Sequence, residues 1–87
     1  MKREELLPQL EELGMEDMLF MDGFDGAIIG ICQRFSDWCI LYDYDEVISI
    51  LMEDMSHQMA IEYFDFNIGG GWIGEHTPVF LHRGEGL

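Results

Sequence analysis

The sequence predicts one α+β domain: a small antiparallel sheet of three or four strands packed against about three helices. Two short runs rich in β-branched and aromatic residues, 27–32 and 38–42, are separated by residues 33–37, and this pattern predicts a hairpin with a longer loop. A third run, 77–82, has a proline near its start, where a strand tolerates it. The 87 residues allow a single domain, 1–87, with no separate substrate domain.

Helical spacing of apolar residues predicts the helices at about 5–13, 44–55 and 56–67. Pro8 is expected in the first turn of the first helix, where its missing N–H is not needed, and Gly14 is expected to end that helix. Asp43 and Ser56 have the side chains of N-caps for the second and third helices.

The third helix is predicted to be apolar on two faces. One face carries Ala60, Ile61, Phe64 and Ile68, and the adjacent one carries Met59, Tyr63 and Phe66. A chain this short can cover one face with its own sheet, so we expect the second face, together with Trp72, to contact a partner or form a homodimer. The alternative is that both faces are buried in the core.

The chain is strongly acidic, with 18 Asp and Glu against 4 Lys and Arg and a net charge of −14. Residues 43–66 hold seven acids and no Lys or Arg, hence −7. Such a field repels nucleic acid and anionic membranes, and it favours a basic protein surface as the partner. The alternative is that the charge only keeps the protein in solution.

Six acids are predicted to point away from the apolar helix faces and are our candidate partner-binding residues: Asp45, Glu46, Glu53, Asp54, Glu62 and Asp65. Pairs of glutamates also recur seven residues apart, about two turns or ~10.5 Å along a helix. These pairs are Glu4 and Glu11, Glu5 and Glu12, and Glu46 and Glu53. Ordered rows of this kind are what a nucleic-acid mimic would use in place of phosphates.

Enzymatic chemistry finds little support in the sequence. A metal-dependent enzyme could use Asp22, Asp25, Asp43 and Asp45, but Asp43 and Asp45 are better explained as a helix cap and a first-turn acid. We therefore predict no catalytic residues, no metal and no cofactor. Cys32 and Cys39 flank the hairpin loop and could form a thiol pair, although they are better explained as small apolar side chains.

Four segments carry a resemblance to a known family: 24–30, 42–45, 62–67 and 71–80. The chain resembles, over roughly residues 15–82, a family of small acidic bacteriophage-encoded proteins of unknown function. The resemblance implies action inside an infected cell, on host machinery or on an immune system, and it supplies no catalytic residues. No segment is long and apolar enough for a membrane span or a secretory signal, so we expect a cytoplasmic protein.

These observations predict a non-enzymatic protein that binds and inhibits or modulates a host protein, with a basic nucleic-acid-handling or defence protein as the expected target. The alternatives are the metal-dependent enzyme and a self-assembling accessory protein without an inhibitory role.

Overall fold

The computed structural model describes residues 3–14, 18–35, 37–68 and 77–84. Within these residues the chain forms three helices and three strands, which confirms the α+β fold class. In chain order they are α1 (Arg3–Glu12), β1 (Ile28–Arg34), β2 (Asp37–Asp43), α2 (Tyr44–Leu51), α3 (His57–Asn67) and β3 (Val79–Leu81), with a 3₁₀ turn at Asp25–Ala27 before β1.

The hairpin is present, but its connection is shorter than predicted. β1 and β2 pair antiparallel as far as Arg34 opposite Asp37, so only two residues join the strands. The first of them, Phe35, has φ of 56°, the left-handed conformation that matches a two-residue turn to the twist of a hairpin. Gln33, Arg34 and Asp37, which the sequence pattern assigns to the loop, therefore extend the strands.

The sheet has the order β1-β2-β3 and is mixed, whereas an entirely antiparallel sheet was expected. β3 runs parallel to β2, with Val79 opposite Leu41 and Leu81 opposite Asp43. Parallel neighbours require a long crossover, and here α2, α3 and the residues that follow them separate the two strands in sequence. The sequence pattern located this last strand but did not indicate its direction.

α1 begins at Arg3, earlier than predicted, and this start places Pro8 inside the helix rather than in its first turn. The carbonyl of Glu4 consequently receives no N–H from the residue four positions later. Gly14 ends the helical segment as expected, with φ of 73° and its N–H donating to the carbonyl of Glu11 at 3.2 Å.

α2 is shorter than predicted because the chain tightens after Leu51. The N–H groups of Glu53 and Asp54 donate to carbonyls three residues earlier, each at 3.2 Å, instead of four residues earlier. Ser56 then takes an extended conformation and its hydroxyl accepts from the N–H of Met59 at 3.2 Å, which confirms it as the N-cap of α3.

One core joins the described elements. Its buried apolar residues are Leu6, Leu10, Met18, Ala27, Ile28, Ile40, Tyr42, Val47, Ile48, Leu51, Ala60 and Phe64. The phenol oxygen of Tyr42 accepts a hydrogen bond from the N–H of Met21 at 2.8 Å, so this fully buried side chain is satisfied. Phe64 and Phe80 meet edge to face with ring centroids 4.8 Å apart, which connects α3 to the sheet.

Candidate functional site

The outer side of α3 exposes a row of apolar side chains. Ala60 and Phe64 of the same helix are buried, while Met59 is 58 % exposed, Tyr63 44 % and Phe66 87 %. The alternative in which the core buries both faces is therefore wrong for these three residues. Trp72, which was expected at the same contact, lies outside the described residues.

The row borders a shallow groove of ≈ 250 Å³. Its lining residues are Met55, Met59, Glu62, Tyr63, Phe66 and Asn67. The Asn67 side-chain amide donates to the Tyr63 carbonyl at 3.2 Å, so Asn67 turns back onto its own helix. The groove thus combines two methionines and two aromatic rings with one carboxylate.

All six candidate acids are exposed, as predicted: Asp45, Glu46, Glu53, Asp54, Glu62 and Asp65. Among the described side chains, only Asp45 of this set forms an ion pair, at 3.9 Å from Arg83. Glu62 lies beside the apolar row, about 40° around the helix from Phe66, and lines the groove, so the expectation that it points away from the apolar faces is wrong. Asp65 lies about 100° from Phe66, next to Glu62 on the helix surface.

The row proposed for Glu46 and Glu53 is not formed, because α2 ends at Leu51 and Glu53 lies in the turn beyond it. These two carboxylates therefore do not lie two turns apart on a single helix. The pairs Glu4 with Glu11 and Glu5 with Glu12 both lie within α1, where the seven-residue spacing is retained and all four side chains are exposed.

Tyr44 brings the acids of α2 and α3 together. Burial raises the pKa of the Tyr44 phenol, and the nearby charges of Asp65 and Asp45 raise it further. Its ring meets Phe64 edge to face at 4.9 Å and stacks on the His82 imidazole at 4.0 Å between centroids. The charges of Asp45 and Asp65, twenty residues apart in sequence, therefore both act on the Tyr44 phenol.

Asp43 is the buried carboxylate among the described residues, and its hydrogen bonds explain why it stays ionised. One oxygen accepts from the N–H of Asp45 at 3.0 Å, which confirms the predicted N-cap of α2, and the other accepts from the guanidinium of Arg83. The hydrogen bond from Arg83 holds the pKa of Asp43 below its ordinary 3.8, against burial, which raises it. The N–H groups of Asp45 and Glu46 lower the pKa further.

Arg83 is the residue that sequence reasoning missed. It lies forty positions from Asp43, and no helical or strand periodicity connects the two. The one available signal was its position directly after the predicted third strand. Since Leu81 of β3 pairs with Asp43, a basic residue two positions later falls near the Asp43 carboxylate.

The four acids considered as metal ligands do not gather into a common cluster. Asp22 and Asp25 lie in the turn region before β1, while Asp43 and Asp45 converge on the guanidinium of Arg83. In the described part of the chain, no group of three or more His, Cys, Asp or Glu side chains is placed to hold a metal ion.

Two other features of the described residues are a cysteine pair and a second cavity. Cys32 and Cys39 face each other across the hairpin as half-buried thiols, and the Cys39 thiol donates to the Cys32 carbonyl at 3.7 Å. A second cavity, of ≈ 170 Å³, has no charged lining residue; it is lined by Phe20, Met21, Asn67, Ile68, Thr77, Pro78 and Phe80.

Comparison of the chain with protein-family models, curated proteins and solved structures finds no match. The described helices are all too short and too polar to span a bilayer, α3 being the longest at 11 residues.

Proposed function

We propose that this protein is a non-enzymatic binding protein that occupies a basic surface of another protein and thereby inhibits or modulates it. The observation that carries the proposal is the set of exposed carboxylates on α2, α3 and the turn between them. Within the described chain, Glu53, Asp54, Glu62 and Asp65 have no ion-pair partner, while Arg83 is engaged by Asp43 and Asp45. Charges without an internal partner are available to an external one.

The net charge of −14 sets the manner of association. Long-range attraction by a field of one sign raises the rate of encounter with an oppositely charged surface by about 10- to 1000-fold. The same field opposes direct binding to nucleic acid or to an anionic membrane. The partner is accordingly a protein with a basic surface.

The class of target follows from which proteins carry large basic surfaces. Grooves that hold phosphates are lined by Lys and Arg, so a nucleic-acid-handling protein of the host, including one that serves defence, fits the charge. The resemblance to small acidic phage proteins points the same way, toward an anti-defence role in the host cytoplasm. In its sharpest form the protein is a nucleic-acid mimic, whose carboxylates stand in for phosphates.

The experiment uses the full chain as bait for host-cell proteins and then measures the rate at which the captured protein binds. Reversing Glu46 and Glu53 together, as Glu46→Lys with Glu53→Lys, is expected to slow association and to flatten its dependence on salt. Both side chains are exposed, so the variant is expected to fold.

A matched control reverses two exposed acids of α1 with the same spacing, as Glu4→Lys with Glu11→Lys. This control changes the net charge equally but leaves the α2 and α3 surface intact. If the association rate falls equally in both variants, the total charge of the protein controls association and the α2 and α3 surface has no special role. Unchanged association in both would rule out the electrostatic mechanism.

A further inference from the structure

The apolar row on α3 has the spacing of a helix-packing seam. Met59, Tyr63 and Phe66 follow one another at intervals of four and three residues, which is the repeat that faces a partner helix in coiled coils. All three side chains are exposed in the structure, so no described residue of the chain covers the apolar row. The row spans about two turns, or ~10.5 Å.

The groove beside the row is suited to a single side chain. Its volume of ≈ 250 Å³ lies below the range of about 300–1,000 Å³ usual for small-molecule sites. Met55 and Met59 line it, and methionine side chains adapt their shape to an inserted apolar group. An aromatic or large aliphatic residue projecting from a partner segment matches this groove.

The charge around the row decides which segment can dock. Glu62 lines the groove itself, Asp65 lies next to Glu62 three residues later on the same helix, and Glu53 and Asp54 precede Met55 in the turn. A second copy of this chain would bring the same acids to the contact, and like charges across an interface oppose association. A segment with Lys or Arg on both sides of an apolar stripe meets no such opposition.

We infer that the α3 surface docks a basic amphipathic helix, which inserts a large apolar side chain between Met55 and Phe66 and pairs its basic residues with Glu62 and Asp65. The inference rests on the proposed function and specifies the form of the partner. It also assigns different kinetic roles to the two groups of residues. The acids raise the association rate, whereas the apolar row lowers the dissociation rate of the complex.

The test uses two synthetic helical peptides with the same number of lysines. One carries leucine and phenylalanine along one face, and the other carries serine and glutamine at those positions. Fluorescence anisotropy of labelled peptide is expected to show at least about tenfold tighter binding of the amphipathic one. The Met59 methyl resonance of the full chain is expected to shift only with that peptide.

Two phenylalanines provide matched variants, because Phe66 is 87 % exposed and Phe35, in the hairpin turn, is 91 % exposed. Phe66→Ala is expected to weaken binding of the amphipathic peptide about tenfold, mainly through faster dissociation, whereas Phe35→Ala leaves it unchanged. Glu62→Lys with Asp65→Lys is expected to slow association instead.

Failure of this inference is distinct from failure of the proposed function. If both peptides bind equally and Phe66→Ala has no effect while Glu62→Lys with Asp65→Lys weakens binding, the helix-docking inference is wrong and the electrostatic function stands. If neither peptide binds and acid reversal leaves target capture unchanged, both are wrong. Sedimentation showing a dimer that protects Phe66 would assign the row to a second copy and overturn the inference.

Discussion

The N-terminus of α2 and the outer side of α3 both carry carboxylates, but these groups meet different surroundings. At α2, Asp43 is buried, caps the helix and binds Arg83, so its charge is used within the fold. On α3, Glu62 and Asp65 are exposed beside apolar side chains. The difference indicates that net charge alone does not identify a binding surface, because an acid already paired with a base offers little to a partner.

The first prediction concerns two phenylalanines of α3. Phe64→Ala is expected to lower the free energy of unfolding by about 3–5 kcal/mol, because it leaves a cavity in the core. Phe66→Ala, two positions away, is expected to change it by less than about 0.5 kcal/mol. Urea unfolding followed by circular dichroism measures both. Comparable losses would mean that Phe66 is also buried and that the inner and outer sides of α3 do not differ as described.

The second prediction concerns the buried carboxylate. Asp43→Ala removes the N-cap of α2 and is expected to lower the free energy of unfolding by about 0.5–2 kcal/mol. Asp43→Asn keeps a capping oxygen and is expected to lose less. The same urea titration compares the two variants, with exposed Asp65→Ala as the control. If Asp65→Ala lowers the free energy of unfolding as much as Asp43→Ala does, the N-terminus of α2 and the outer side of α3 do not differ in this respect.

The third prediction concerns pH. The pKa of Asp43 is lower in the folded state, so its pairing stabilises the fold fully above the unfolded value near 3.8 and is lost as the pH falls through the folded value. Proton uptake by this strongly acidic chain acts in the opposite direction, because it reduces the repulsion that the net charge of −14 produces. Stability is therefore expected to rise on mild acidification and then to fall steeply.

Thermal unfolding across this pH range measures the profile. The Asp43→Asn variant is expected to lose much less stability than the parent at low pH. It is expected to keep the gain in stability on mild acidification. A profile for Asp43→Asn that superimposes on the parent profile would show that the Arg83 pairing contributes nothing to acid sensitivity.

The smallest expected effect is that of salt. Between about 0.01 M and about 1 M salt the screening length falls from about 30 to about 3 Å, so repulsion among exposed acids weakens. The melting temperature is expected to rise by a few degrees. Glu62→Gln with Asp65→Asn should reduce this rise, since it removes two of the repelling charges. A melting temperature that falls as salt increases would mean that paired acids dominate the stability.

Local signals in the sequence predicted much of the fold and part of the site. The caps at Asp43 and Ser56, the stop at Gly14 and the two-sided character of α3 depend on neighbouring residues and were found correctly. The exposed side of α3 was also predicted correctly, since Met59, Tyr63 and Phe66 lie outside the core, whereas the contact of Phe64 with Phe80 that fixes the buried side is long-range and not encoded by periodicity.

Two of the errors have a long-range origin, and two are local. The direction of β3 depends on a crossover of two helices, and the pairing of Arg83 depends on that direction. The end of α2 was misplaced because Met52 and Met55 continue the apolar repeat after the backbone has left the helix. The tight hairpin turn was missed because Phe35 has a positive φ that its residue type does not indicate.

The parallel pairing of β2 with β3 also constrains the order of folding. The β1 and β2 hairpin closes through contacts close in sequence, on a timescale of about 1–10 μs for such units. β3 pays a larger entropic cost of loop closure, since more than thirty residues separate Asp43 from Val79. We expect β3 to join the sheet after the transition state for folding has been crossed. Val79→Ala should therefore speed unfolding, whereas Ile40→Val should slow folding. Stopped-flow rates that show the reverse would place β3 in the folding nucleus.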